Sequence, residues 1–212
     1  MAQRTIHYLF GEKIAQQINL KNKQRFLLGS ILPDAIERID RNASHFKVKT
    51  DTCKYFDFTA FRNQYIDLML QDDLYLGYYM HLVEDAFYRT FFFKNGFTMP
   101  KAKEEVAVLH RDYNILNAYI VNKYHLHNIL ESTFSLESEP IGQIVPFRID
   151  AFLQEMAQDF TEQIDGIPVY VTVDMLDQYV NTYLPFAIAE AKSIKDGNSV
   201  LNAADYCWPA NR

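Results

Sequence analysis

The sequence predicts an all-α fold, and three observations carry that expectation. Apolar side chains recur at helical rather than alternating spacing through most of the chain. One stretch, about 72–94, carries large apolar residues on most of its sides, as a buried central helix does. Strand signals shrink to one short run, Ile167-Pro168-Val169-Tyr170-Val171. With 212 residues, 49% hydrophobic and 23% charged, the chain is read as a single compact helical domain over 1–212. A chain of this length buries a core without disulfide or metal staples.

The elements follow in order. Ile6, Leu9, Phe10, Ile14 and Ile18 mark a first helix, with Thr5 as its N-cap. A second helix, about 23–30, must stop before Pro33, because the residue ahead of a proline avoids the α conformation. Leu32-Pro33-Asp34 is therefore a turn. The polar stretch 35–52 reads as irregular, with a short helix at 35–39. Asp57 or Thr59 caps a helix to about Leu70, and the apolar helix 72–94 follows, with Asn95-Gly96 as its stop. Pro100 suits the first turn of a helix reaching about Tyr124. Residues 125–147, with Pro140 and Pro146, read as a loop or lid. Two further helices are expected at about 149–163 and 173–195, the last kinked by Pro185. The aromatics of Tyr206-Cys207-Trp208-Pro209 are expected to dock on the body.

Charge and composition exclude several classes. A net charge of -6 argues against general nucleic-acid binding, which needs clustered Lys and Arg. It leaves room for a phosphoester substrate, because bound metal ions bring local positive charge. No apolar run approaches a membrane span. Neither Cys53 nor Cys207 belongs to a CxxC pair, so no thiolate metal site is indicated. The opening residues lack the apolar core of a signal peptide, and a cytoplasmic location is the default expectation.

The chemistry-bearing residues fall into short motifs. His81 and Asp85, in Gly77-Tyr-Tyr-Met-His-Leu-Val-Glu-Asp, lie one above the other on a helix face. Gly77, one turn earlier, costs about 1 kcal/mol against alanine and removes a side chain where another element or a metal needs the space. A buried histidine and carboxylate need compensation, which a divalent cation provides; the bland reading is a core histidine hydrogen-bonded to a helix carboxylate. Asp34 follows Pro33 in a stiff turn, and taken alone it reads first as the N-cap of a following short helix. His45 stands in a polar loop, and His7 shares the buried face of the first helix with Phe10 and Ile14. Together these five make a nitrogen/oxygen ligand set suited to zinc, and also to iron or manganese. In the later helix, His110, Arg111 and Asp112 read either as a substrate-phosphate or second-metal group, or as a charged solvent face. His127 and Glu131 have HxxxE spacing but read as surface rather than site.

Thr5-Ile-His-Tyr-Leu-Phe10, Gly29-Ser-Ile-Leu-Pro-Asp34, Ser44-His-Phe46 and Leu76–Asp85 occur in one order within the first ninety or so residues. On these stretches the chain resembles the bacterial zinc-dependent phospholipase C family, related in fold to the fungal single-strand-specific nucleases. The resemblance implies a single helical domain with its metals in a cleft. It implies Asp34, His45, His81 and Asp85 as ligands of one zinc. It further implies His7 on a second zinc, with Asp85 bridging and Asp34 as base toward the attacking water. The expected function is metal-dependent hydrolysis of a small phosphoester or lipid headgroup, using one or two ions. Arg111 or Arg89 would stabilise developing charge, and Glu84 and Ser44 would orient ligands. The alternative is a non-catalytic metal-binding or partner-binding protein on the same fold.

Overall fold

The computed structural model describes residues 2–98, 100, 102–130, 134–162 and 164–210. The fold is all-α, with eight α-helices among the described residues and one small sheet. The helices are α1 (Arg4–Ala15), α2 (Lys23–Ile31), α3 (Arg41–Ser44), α4 (Phe58–Gln71), α5 (Asp73–Lys94), α6 (Lys103–Tyr124), α7 (Ile149–Thr161) and α8 (Val173–Lys195). The strands are β1 (Lys47–Lys49), β2 (Cys53–Phe56) and β3 (Trp208–Pro209), in the antiparallel order β1-β2-β3. No helix among the described residues is long and apolar enough to cross a membrane.

Helix α5 is the axis of the molecule and is buried almost from end to end, with α1, α2, α4 and α8 against it. Its start is set by Asp72, whose side chain accepts the Leu74 N–H and pairs with Arg25 of α2. Asn22, Asp57 and Thr172 cap α2, α4 and α8 in the same manner. The N-cap of helix α1 lies two residues before the expected one: Gln3 holds that position, and the Thr5 hydroxyl donates to Asn117 of α6 instead.

The closest packing joins α2 to α5. A Cβ on Gly29 would meet the Leu74 carbonyl oxygen at 2.1 Å, and one on Gly77 would meet the Phe26 carbonyl oxygen at 2.1 Å. Each glycine thus faces a backbone carbonyl of the other helix, and only hydrogen fits between them. Such contacts let Cα–H groups approach carbonyl oxygens and add a small attraction of their own. The space that Gly77 vacates is filled by another helix.

Several expected elements differ. Residues 35–39 do not form a helix: the Ala35 carbonyl accepts the Arg148 N–H, and the chain turns through Arg38–Asp40 into the short α3. The β1–β2 hairpin lies inside the stretch expected to be irregular. Its tight turn is held by Thr50, whose hydroxyl accepts the Cys53 N–H at 3.0 Å. The run 167–171 is not a strand, because its N–H groups at 169, 170 and 171 all go to the Asp112 carboxylate. Pro100 lies ahead of α6 rather than in its first turn. Pro185 sits within α8 on an exposed side, where the carbonyl it leaves unpaired can meet water. The tail docks by β3: Trp208 is buried against Phe56, with ring centroids 5.0 Å apart. Cys53 and Cys207 are free thiols brought beside each other by the β2–β3 pairing.

Gly77→Ala and Gly29→Ala each force a methyl group into a facing backbone, which cannot move aside as a side chain can. Each should cost about 3 kcal/mol or more of stability, read from urea midpoints. Gly96→Ala, where an added Cβ meets nothing within 4 Å, should cost only the left-handed φ penalty of about 1 kcal/mol. Equal losses at Gly77 and Gly96 would contradict the close helix contact.

Candidate metal centre

Five side chains from four elements converge beside the α2–α5 contact. His7 comes from α1, Asp34 from the turn after α2, His45 from the end of α3, and His81 and Asp85 from α5. The Nε2 atoms of His45 and His81 are 3.2 Å apart. His45 Nε2 lies 3.4 Å from Asp34 Oδ1 and 3.6 Å from Asp85 Oδ2. His7 Nε2 lies 3.7 Å from Asp85 Oδ1 and 3.9 Å from Asp34 Oδ2. Ligands around a tetrahedral zinc, each about 2.1 Å from it, are roughly 3.4 Å from one another. Two overlapping groups, His7–Asp34–His81 and His45–His81–Asp85, have ligand atoms all within 4.8 Å. Both carboxylates turn one oxygen toward His7 and the other toward His45, so either can span two positions.

The hydrogen bonds at the far side of each ring say what the near side must be. His81 Nδ1 lies 2.9 Å from the Ser30 carbonyl, which sits in the last turn of α2, where carbonyls lack helical partners. His45 Nδ1 lies 3.0 Å from the Arg41 carbonyl and 2.8 Å from the Ser44 hydroxyl. A carbonyl only accepts, so both Nδ1 atoms carry the proton and both Nε2 atoms present lone pairs. His7 Nδ1 is 2.6 Å from Glu84 Oε2 and is protonated too, so Nε2 is the nitrogen that faces the cluster. Two lone pairs facing each other at 3.2 Å repel unless a cation or a shared proton lies between them. Buried imidazoles with Nδ1 tied to a carbonyl or carboxylate are the usual arrangement of metal ligands. His7 Nε2 and Asp85 Oδ2 are buried without a hydrogen-bond partner, which in a native interior points to a missing ligand or ion. The residues present therefore fit a divalent cation, and the buried His/Asp groups could hold one.

Charge tells the same story. Burial pushes the His7 imidazole down, but Glu84 beside it, with Asp85 and Asp34, outweighs burial and lifts its pKa to about 9. Burial pushes His81 well below its ordinary value, and the positive charge of His7 adds to this. Burial alone would raise the Asp34 carboxyl, yet the His45 hydrogen bond, His81 and Arg41 hold it well below the usual carboxylate range. The carboxylates around His7 thus favour positive charge on that side of the cluster.

Local folding brings the loop ligand into place. Phe46, directly after His45, has φ 48°, a left-handed conformation uncommon for a bulky residue. It reverses the chain from α3 into β1, and the Asp57 N–H closes the reversal on the Phe46 carbonyl at 2.8 Å. The Ser44 carbonyl accepts the Tyr78 hydroxyl of α5, which pins the same loop to the central helix. Strained backbone of this kind collects at functional sites.

Above the cluster lies a cleft of about 500 Å³. Of the five cluster residues, Asp34 lines it, while the histidines and Asp85 lie beneath. Arg4, Arg41, Arg89 and Arg148 also line it. Arg41 lies 3.2 Å from Asp34 Oδ1. Burial lowers the pKa of nearby Lys47, and Arg89, Lys54 and Arg41 push it the same way, so this corner of an acidic protein is locally positive.

The other proposed site residues lie elsewhere. Asp112 is buried but spends both oxygens on three backbone N–H groups of the 169–171 segment, at 2.9, 2.5 and 3.3 Å. It organises that loop and does not reach the cluster. Arg111 is exposed and packs against Gly166, away from the lining of the cleft. His110 is exposed at the cleft rim, its ring beside Tyr113, and belongs to neither ligand group. His110 and Arg111 are exposed on α6 and Asp112 is committed to the 169–171 loop, so none of the three joins either ligand group. His127 is exposed, and Glu131 lies outside the described residues. Arg41 and Gln3 went unremarked in the sequence, since Arg41 sits in the irregular stretch and Gln3 precedes the first periodic residue. Arg41 stands four before His45, a spacing that carries meaning only once α3 is known.

The chain matches no protein-family model, no curated protein and no solved structure.

His81→Ala and Asp85→Asn should abolish stoichiometric divalent-metal binding, measured by elemental analysis after dialysis against zinc. Glu84→Gln should retain the site with affinity lowered about 10- to 100-fold. Asp112→Asn should leave metal content unchanged. It should lower stability by about 1–3 kcal/mol, through loss of a charged acceptor for buried N–H groups. Full metal occupancy in His81→Ala would exclude this centre.

Proposed function

We propose that this protein is a metal-dependent phosphoester hydrolase, with zinc as one or two ions held by His7, Asp34, His45, His81 and Asp85. This extends the likeness to the bacterial zinc-dependent phospholipase C family drawn from its motifs. One observation supports the reading above the rest. Three imidazole Nε2 atoms and two carboxylates meet at the floor of a cleft that arginines line.

A divalent cation held there supplies Lewis acidity and lowers the pKa of coordinated water toward neutrality. The chain's own residues do the rest. Asp34 faces the cleft from the stiff Leu32–Asp34 turn, where its carboxylate is kept ionised and can take a proton from an attacking water. Arg41, on the cleft side of Asp34, offers a planar fork of donors to phosphoryl oxygens whose charge grows in the transition state. Glu84, Ser44 and the Ser30 carbonyl hold the three rings in orientation.

One observation favours a second reading. The three histidines and Asp85 are 0–1% exposed, as ligands of a closed structural metal would be. The two readings part on water. With manganese in the site, solvent-proton relaxation is enhanced if a coordination position is open and unchanged if the shell is filled.

Zinc- or manganese-loaded protein should turn over members of a panel of small phosphomonoesters and phosphodiesters. Asp34→Asn should lower kcat by at least about 100-fold. A folded, metal-loaded protein that cleaves nothing in the panel would rule out the hydrolase.

A further inference from the structure

Buried polar atoms without partners are few in native proteins and each asks for a reason. Those among the described residues gather around one place. Besides the cluster atoms they include both amide atoms of Gln3 and Nε of Arg89. Gln3 is 7% exposed, yet neither its Nε2 nor its Oε1 meets a partner, and it lines the same cleft as Arg89.

Both are held next to the metal centre without belonging to it. The Ala2 N–H donates to Asp85 Oδ1 at 2.9 Å, which fixes residue 3 beside that ligand. Arg89 stands one turn beyond Asp85 on α5, so His81, Asp85 and Arg89 form a single stripe on one helix face. The other cleft arginines have carboxylate partners: Arg4 has Asp159 and Glu155, Arg41 has Asp34, and Arg148 has Glu37. Among the described residues no carboxylate pairs with Arg89. Its guanidinium instead lies over the Trp208 ring, 5.4 Å from the centroid, and Trp208 is fixed by β3 and by Phe56. A guanidinium laid on an aromatic face is oriented while its N–H fork stays free.

We propose that Arg89 and Gln3 form a binding site for a second anionic group of the substrate, set beside the metal-bound end. The substrate would then be a small phosphoester bearing a further phosphate or carboxylate, rather than one with a neutral or cationic headgroup. Arg89 supplies a charged two-pronged donor, and Gln3 Nε2 supplies further N–H groups. Gln3 Oε1 is left to accept from a substrate hydroxyl. The proposal rests on the phosphoester reading for what occupies the metal, but the second-anion site stands on its own unpartnered atoms.

Calorimetric titration of zinc-loaded protein with glycerol 1-phosphate, 3-phosphoglycerate and glycerol 1,3-bisphosphate tests this, with metal content measured afterwards. The bisphosphate should bind at least about tenfold tighter than the monophosphate. That preference should collapse in Arg89→Gln and weaken in Gln3→Ala, with metal content unchanged in both. Tight binding of 3-phosphoglycerate as well would show that the site takes either anion; binding of the bisphosphate alone would restrict it to phosphate. Equal affinities for the three ligands in the wild type would overturn the proposal. So would a preference that survives in both variants. Bisphosphate preference without turnover of any phosphoester would uphold this site and remove the hydrolase, and turnover without the preference would do the reverse.

Discussion

The contact between α2 and α5 is the constraint on which the rest of the molecule depends. Gly29 and Gly77 each present a hydrogen to a carbonyl of the opposite helix, so the two backbones touch. That approach brings the last turn of α2 against the middle of α5. The Ser30 carbonyl, left over at a helix end, then falls where His81 Nδ1–H can reach it. The following Leu32–Asp34 turn delivers Asp34 to the same spot. A larger residue at either glycine would push the helices apart and separate the turn ligand from the helix ligands.

Around that contact the protein accepts a local loss of stability to concentrate lone pairs and negative charge. Four of the five cluster residues are fully buried, and two of their polar atoms, His7 Nε2 and Asp85 Oδ2, have no protein partner. Uncompensated burial of such groups is strongly unfavourable. The compensation is built in pairs: every imidazole is held from behind by a carbonyl, hydroxyl or carboxylate, leaving its front nitrogen free. The raised pKa of His7 reports the carboxylates of Glu84, Asp85 and Asp34 around it, and the lowered one of Asp34 reports the His45, His81 and Arg41 groups that face it.

The chain as a whole is acidic, yet its cleft is lined by four arginines, and three are tied to carboxylates. Net charge therefore describes this surface poorly. It reports repulsion of polyanions at long range, where screening weakens it, and says little about a pocket whose field is set by guanidinium groups a few ångströms away.

Much of the architecture was legible in the amino-acid order. Helical spacing, a cap such as Asp57, and the Pro33 and Asn95-Gly96 stops are local signals, because they act through a residue's own backbone and near neighbours. His81 and Asp85 were legible as a pair for the same reason, being one turn apart. The order placed Asp34 in the core ligand set but left Asp112 open between a second-metal or phosphate group and a solvent face. The folded chain decided Asp112, by spending it on the N–H groups of 169–171 while Asp34 lines the cleft. Nor could the order alone find the β1–β2 hairpin, whose strands are too short for alternation to register, or the stacking of Arg89 on Trp208 beside the cleft that Gln3 also lines. Helices follow from contacts within a few residues, whereas a site is made of contacts between residues dozens of positions apart. Those are settled by which helix faces pack together, and here by two glycines that let a pair of backbones meet.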